Sequence, residues 1–475
     1  MAARPVTRGI DAKPVRVSAI LGGDIRLEAS TYLREGYGLT RLAKQVPGHT
    51  SLGELADIWL PDRLTGYEMP AGKGLPFFTA GQVFEDFPRV RKWLAKAFVP
   101  QPESRYVNSD WLLMTRSGVV GRVTAVYPHH LGVVISDDLL RIVPKNPAEY
   151  GWLYAYMKTQ FFMQVAQAAQ YGHMIKHIEV AHASAFPVIM PEESVRRKIG
   201  DMAAGAIRQR VRARDLRDAA FALFEKCVGY SKDDELPQGG SSHGEVRVSD
   251  VIVGGRQRLD AGFYGGQIAR ITELFSSHPT SLLGEVTIFA SDLPRFARIY
   301  GDGGIPYVSA SELFDVNAKP GKMIYAKLVK GWDRYLLHKG TIIMACSGQK
   351  YGIIGRALML TENHEGLFGS HDLLRLVVDD AKIRSGYLLT FLNDPALGRP
   401  YVVRNAYGTS IPHLDSSDVQ AIKIPRLDDE DEAAIADLMD ESVRLSAEAD
   451  RTENDAIRLA QNQIETAIGL SSVTE

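Results

Sequence analysis

GYEMPAGKG (Gly66–Gly74) sets a lysine in a glycine-rich stretch, the arrangement in which backbone N–H groups and an ammonium cradle phosphates. Its spacing is one residue too long for a P-loop, and glycine stands where Ser or Thr would hold magnesium. Twelve histidines offer metal ligands or general bases. His129–His130 and the set His173, His177 and His182 lack both the helical H-E-x-x-H spacing and a cysteine partner that a zinc site needs. No G-x-G-x-x-G follows a strand, no G-x-S-x-G elbow occurs, and neither an Asn/Asp-Pro-Pro-aromatic motif nor a convincing carboxylate–x–Lys pair stands out. These residues predict no metal, no cofactor and no catalytic group of the chain's own, and they favour a binding protein.

What the chain does contain is one frame written twice. YGHMIKHIEV (Tyr171–Val180) and YGTSIPHLDS (Tyr407–Ser416) share Tyr-Gly-x-x-Ile-x-His-apolar. The frames belong to a longer series. VRVSAILGGDIRLEASTY (Val15–Tyr32) matches VRVSDVIVGGRQRLDAGFY (Val246–Tyr264), SLGEL (Ser51–Leu55) matches SLLGEV (Ser281–Val286), and GLPFFTAGQVF (Gly74–Phe84) matches GIPYVSASELF (Gly304–Phe314). MTRSGVVGR (Met114–Arg122) matches MACSGQKYGIIGR (Met344–Arg356), the second with four residues inserted after Ser-Gly; SDDLLRIV (Ser136–Val143) matches SHDLLRLV (Ser370–Val377). The YG frames follow, and then FPVIMP (Phe186–Pro191) answers QAIKIP (Gln420–Pro425). Blocks kept in order at a nearly constant offset describe a tandem duplication.

Positioning these blocks requires strands and two long helices. Short alternating or β-branched runs such as LPFFTAGQVF, GVVISDDLLRIV, GTIIMACSG and LFGSHDLLRLVV predict strands. One helix is predicted in each repeat, over about 147–169 and 383–393. Because strands do not alternate regularly with helices, the fold class is α+β, each repeat a curled mixed sheet plus helices. Proline-free stretches then follow. In the first, Val195, Ile199, Met202, Ala206, Ala213, Leu216, Ala220, Leu223 and Cys227 fall on 3/4 spacing, interrupted by Gln209. In the second, Ile435, Leu438, Leu445, Ala449, Ala456 and Leu459 do so, weakened by Ser442 and Thr452. The first is basic, with Arg208 and Arg212 among its cations, and the second strongly acidic, so an antiparallel coiled coil is expected, paired through Arg208, Arg212, Leu216, Leu223, Leu438, Leu445 and Leu459. A basic helix lying on DNA phosphates is the rival reading. The expected division is 1–191 (first α+β unit), 192–229 (first long helix), 230–245 (flexible linker), 246–427 (second α+β unit), 428–469 (second long helix) and 470–475 (tail).

Composition sets the remaining bounds. At 475 residues, with 45% apolar and 24% charged residues, the chain has enough for more than one globular core. A net charge of −2 gives no global nucleic-acid signature, so any basic surface must be local. Two cysteines, Cys227 and Cys346, give no disulfide framework, and no 18-residue apolar run occurs; a cytoplasmic protein is expected. WLYAYMKTQFFMQVAQAAQ, broken by Lys158 and several glutamines, reads as a buried helix.

The order RLDA-x-x-Y, IP-x-x-S/T-A-x-x-L, Ser-Gly before Gly-Arg, G-x-x-I-x-H-L and I-x-I-P before a long helix resembles the specificity subunit of type I restriction–modification systems, over roughly 15–469. RLDAGFY (Arg258–Tyr264), IPYVSASELF and YGTSIPHLDSSDVQAIKIP carry most of the resemblance. It implies a non-catalytic subunit whose two target-recognition domains each read half of a bipartite double-stranded DNA site. The helices would fix the spacing and dock two DNA methyltransferase subunits, with a translocating restriction subunit as a further partner. PEESVRRK and RLDDEDEA lack the Gln that often opens the family's helices, and the acidic second helix points to an unusual methyltransferase partner in a methylation-linked phage-defence system.

Base reading needs hydrogen-bonding side chains on loops that reach base edges. The Ser-Gly loops offer Arg116, Ser117 and Arg122 in the first repeat and Ser347, Gln349, Lys350, Tyr351 and Arg356 in the second. The YG frames add Tyr171, His173 and Lys176, against Arg404, Asn405, Tyr407, Thr409 and Ser410. Gly172, Gly408, Ile175, Ile411, His177 and His413 are expected to be structural. PRVRKWLAK (Pro88–Lys96), LPRFAR (Leu293–Arg298) and KLVKGWDRY (Lys327–Tyr335) are further basic stretches that could hold phosphates or simply be solvated. A cryptic nuclease, or an adapter that binds DNA without reading it, are the alternatives.

Overall fold

The computed structural model describes residues 15, 17, 29–172, 174, 176–231, 248–253, 258 and 260–470. Most of the repeat block at 15–32 and most of the linker at 230–245 lie outside the described residues. The chain divides into two compact units, one of Met1–Phe84, Pro88–Ile207 and Thr452–Glu475, the other of Glu85–Phe87 and Arg208–Arg451.

In the first repeat, helix α1 (Glu35–Ala43) precedes strands β1 (Thr50–Ser51), β2 (Ala56–Trp59), β3 (Glu68–Met69), β4 (Leu75–Phe78), β5 (Lys92–Leu94), β6 (Leu112–Thr115), β7 (Val123–Ala125), β8 (Val134–Ile135) and β9 (Leu139–Pro144). Helices α2 (Tyr150–Met157) and α3 (Gln160–Ala169) and strand β10 (Pro187–Val188) complete it. Three sheets result, ordered β2-β9-β6-β7, β3-β5-β4-β8 and β1-β10. The first long helix, α4, spans Glu193–Cys227.

The second repeat writes the same topology. It holds α5 (Gly266–Ser276), β11 (Thr280–Leu282), β12 (Thr287–Ser291), β13 (Tyr300–Val308), β14 (Lys322–Ile324), β15 (Ile342–Ala345), β16 (Ala357–Met359), β17 (Phe368–Gly369), β18 (Leu373–Val378), α6 (Ser385–Asn393), α7 (Gly398–Val403) and β19 (Lys423–Pro425). Its sheets are β12-β18-β15-β16, β14-β13-β17 and β11-β19. In both repeats the middle sheet joins one parallel pair, β4 with β8 and β13 with β17. The long β13 does the work of β3 and β4 together: Tyr300 and Ile305 both pair with Ile324, as Glu68 and Leu75 both pair with Leu94. The duplication is therefore one of architecture as well as sequence.

The single helix expected at 147–169 is two. The chain breaks at Thr159, whose side chain accepts from Phe162 N as an N-cap, so α3 starts afresh. In the second repeat the corresponding break is at Asp394, whose Oδ1 accepts from the N–H groups of Ala396, Leu397 and Gly398 before α7. Helix α2 is buried from Gly151 to Met157, and Phe161 and Phe162 are also fully buried, each contributing about 1.5–3 kcal/mol of transfer free energy. It packs against α4 at the closest possible approach, since a Cβ on Gly151 would lie 2.1 Å from the Gly200 carbonyl oxygen. Helix α6 likewise presses Gly386 against the second long helix, α8 (Asp429–Ala467), near Ala436 O and Asp440.

The two long helices run antiparallel. In the second unit Arg210 meets Asp450, Ala213 O accepts from Ser442 Oγ, and Phe224 shares a core with Ile435, Ala436 and Met439. Burial along the seam is displaced by one residue at several of the expected positions. Ile199, Ala206, Ala213 and Ala220 are buried as expected, and Ala203, Arg210 and Phe224 are buried beside half-buried Met202, Gln209 and Leu223; Leu223 still packs on the core that holds Phe224. On α8, Met439, Glu453 and Ala460 are buried beside half-buried Leu438, Thr452 and Leu459; Leu438 packs on the same core as Met439, and Glu453 serves Tyr154 and Lys158 around α2. Arg208 and Arg212, expected to pair the helices, are exposed; Arg212 still acts on Glu441 of α8, whose carboxyl is held low mainly by Arg444, while Arg210 makes the buried pair. Arg214 and Arg217 turn instead to Asp86, at 3.4 and 3.1 Å, and these cations hold its carboxyl below the usual range although burial pushes it up.

Candidate nucleic-acid interface

The repeated blocks build one two-loop device per repeat. In the first, fully buried β6 delivers the chain into the Ser-Gly loop, which Gly121 N closes by donating to Thr115 O at 3.0 Å. Gly121 sits at φ +90° with Ala166 directly beneath it, so no side chain fits there. The YG frame closes on itself: Tyr171 N donates to His177 O (3.0 Å) and His177 N to Tyr171 O (2.9 Å), and the two rings lie 4.1 Å apart. Gly172, at φ +101°, makes the turn. Ser117 and His177 then form a β-bridge, and Ile178 N donates to Arg116 O, so frame and loop are tied together.

The second repeat repeats every tie. Tyr407 and His413 exchange backbone bonds of 3.0 and 2.8 Å, Ser347 bridges His413, and Leu414 N donates to Cys346 O at 2.8 Å. Gly408 turns at φ +99°. A carboxylate two residues past each histidine anchors the tyrosine of the frame: Tyr171 OH donates to Glu179 at 2.5 Å and Tyr407 OH to Asp415 at 2.7 Å. These acids were missed in the sequence, although both frames carry His-apolar-acid.

Against this scaffold the expected contact residues separate into presented and internal groups. Gln349, Lys350, Tyr351, Tyr407, Thr409 and Ser410 are exposed, and Gln349 Nε2 reaches back to Ser410 O at 2.9 Å, joining the two loops. Ser117 and Lys176 are half-buried, as are Arg116 and Tyr171, which share Glu179. Ser347 is occupied by Asp372 at 3.1 Å. Burial would raise the Asp372 carboxyl, but His371, the hydroxyls of Ser347 and Ser370, and Arg298 at 3.0 Å hold it below the usual range. His173 lies outside the described residues. Ile411, expected in the core, is 59% exposed.

Arg356 departs from the expected role, and half-buried Arg122 is its counterpart in the first repeat. They occupy equivalent positions and stack on equivalent rings, Arg122 4.1 Å over Phe84 and Arg356 4.8 Å over Phe314. Arg356 is 6% exposed and donates to Glu85 at 2.8 Å, so it faces inward. Asn405 is buried as well, donating to Val402 O at the end of α7. Arg404 lies 3.9 Å over the Tyr401 ring, and burial lowers its pKa. Arg258 of the RLDA block closes the same helix end, donating to Asn405 O and Ala406 O. Of the basic stretches, Lys92 pairs with Glu68, whereas Lys96 and Lys327 are exposed.

No family model matches the sequence, and no curated protein matches it. Solved structures of type I restriction–modification specificity subunits are similar to it. One, the S subunit from M. genitalium, is 13% identical over 90% of this chain and 98% of its own, with a TM-score of 0.30. The HsdS subunit from Thermoanaerobacter tengcongensis is 15% identical over 89% and 97%, with a TM-score of 0.26. A chain from a structure titled as the basis of complex assembly and conformational transition of the type I R-M system is 15% identical over 89% and 98%, at 0.27. Superpositions this loose leave the case to the chain's own residues.

Those residues supply hydrogen-bonding and cationic groups on braced loops. Among the described residues no cluster of three or more His, Cys, Asp or Glu side chains could hold a metal ion. His130 is fully buried, and its Nδ1 accepts from Tyr127 N. No helix of the described residues is long and apolar enough to cross a membrane.

Proposed function

We propose that this chain is the sequence-reading subunit of a DNA methylation complex. Each repeat, 1–191 and 246–427, acts as a target-recognition domain for one part of an asymmetric, bipartite duplex site. The paired helices at 192–229 and 428–469 dock methyltransferase subunits, two copies by the logic of two domains, and a restriction subunit joins where the system cleaves. The linker at 230–245 and the tail at 470–475 carry no recognition. The chain does no chemistry itself and works in the cytoplasm.

The observation that carries this reading is the pairing of one scaffold with two sets of presented side chains. The Ser117–His177 and Ser347–His413 bridges are the same device. What it presents is Val119 and Met174 in one repeat, and Gln349, Lys350, Tyr351, Thr409 and Ser410 in the other. Shared support with different side chains at the tips is the arrangement needed to read two different sequences.

Base-modification sequencing of cells expressing the chain with the methyltransferase encoded beside it tests this. A two-part asymmetric methylated motif, absent without the chain, is expected. An assembled complex that writes no new motif would overturn the reading in favour of an adapter.

A further inference from the structure

We infer that the apolar tips of the braced loops are wedges that unstack one base step in each half-site; this rests on the loops being DNA contacts. Met174, in the first YG frame, is 98% exposed, and Val119, in the Ser-Gly loop bridged to it, is 61% exposed. In the second repeat Ile411 of the frame is 59% exposed and Tyr351 of the loop 66%. One exposed apolar side chain on a surface is ordinary. Here each repeat places one on each of the same two loops, with different residues in the two copies.

Their setting fits insertion between bases. The strands beneath, Leu112–Thr115 and Ile342–Ala345, are buried throughout, and the backbone bridges tie each loop to its partner, so a tip pressed into a base stack has a firm seat. Lys350, exposed beside Tyr351, brings charge for phosphates, and Thr409, Ser410 and Gln349 offer hydrogen bonds to base edges. Met, Ile and aromatic side chains are the types that wedge between base steps, and burying two of them against bases offsets an unstacking cost of the same order. The consequence is functional, because a methyltransferase must take its target base out of the stack and a neighbouring step already opened lowers that cost.

The test uses the assembled complex and a duplex carrying the methylated motif, with a fluorescent adenine analogue placed at each step in turn. A several-fold rise in its fluorescence at one step in each half-site is expected. The double change Val119→Ser with Met174→Ser should abolish the rise in the first half only, and Tyr351→Ser with Ile411→Ser in the second only, with melting temperature and salt dependence of binding unchanged. Sequence-preferred binding with no rise at any step would overturn the wedge and leave the base-reading function standing. In that case weaker binding when thymine is replaced by uracil would assign the tips to thymine methyl groups. Binding without sequence preference would overturn the base-reading function and the wedge together.

Discussion

Arg210 and Asp450 meet 2.6 Å apart inside the seam between the two long helices, with the guanidinium side chain only 3% exposed. A buried ion pair is a poor source of net stability but a strong lock on register, because any slip leaves a charge without its partner. Removing Asp450 alone should therefore cost about 3 kcal/mol, the low end for a buried pair since Asp450 keeps part of its surface in water. Replacing both residues with apolar ones, as in Arg210→Met with Asp450→Leu, should recover most of that loss. Urea unfolding followed by circular dichroism of the single and double variants measures both; an additive double variant would sink the argument.

Asp394 gives the pH dependence a sign. Burial, opposed by the Leu397 amide and reinforced by Glu225, pushes its carboxyl up to about 7 from an ordinary 3.8. A raised folded-state pKa means the native state holds the proton more tightly. The contribution is thus fully present below about 3.8 and is lost as pH rises through about 7. Asp394→Asn keeps the oxygen that caps α7 and removes the titration. The melting temperature of the variant relative to the original protein should climb between pH 4 and pH 7 and level off above. A flat difference across that window would show that Asp394 does not titrate there.

Arg356 should matter for stability and not for sequence. Replacing it with alanine strands Glu85, itself nearly buried, and is expected to destabilise by roughly 3 kcal/mol while the methylated motif stays the same. Substituting Gln349 or Lys350 should do the reverse, changing letters in one half of the motif with little effect on melting. Sequencing the motif and melting each variant decides between the two roles.

Gly151→Ala tests the docking of α2 on the first long helix. The added methyl would sit 2.1 Å from Gly200 O, backbone against backbone, so the helices must move apart at a cost of about 1–3 kcal/mol. Gly38→Ala, in α1 with nothing within 4 Å, serves as the control and should be neutral or slightly stabilising. Thermal unfolding of the two variants should move in opposite directions.

Much of this protein was legible without coordinates. The ordered repeat blocks already implied two copies of one α+β unit, and the matching sheet orders follow from that duplication. The YG frame and the Ser-Gly loop were each readable as recurring elements because identical local residues, with a glycine at the turn, impose identical local geometry; the bridge that joins them was not. Local chemistry survives translation into structure because it depends on neighbours along the chain.

Tertiary structure decided whatever depended on neighbours far away in sequence. The most buried seam positions could be Gln209 and Leu223 or Arg210 and Phe224, since 3.6 residues per turn lies between spacings of three and four and periodicity alone permits both. The choice fell to the one that let Arg210 find Asp450, 240 residues on. Arg356 looked like a DNA contact beside its loop, but Glu85, 271 residues earlier, takes its charge inward. Whether a cation faces a base or a carboxylate is set by which distant partner packing brings within 3 Å, and a sequence pattern holds no record of that distance.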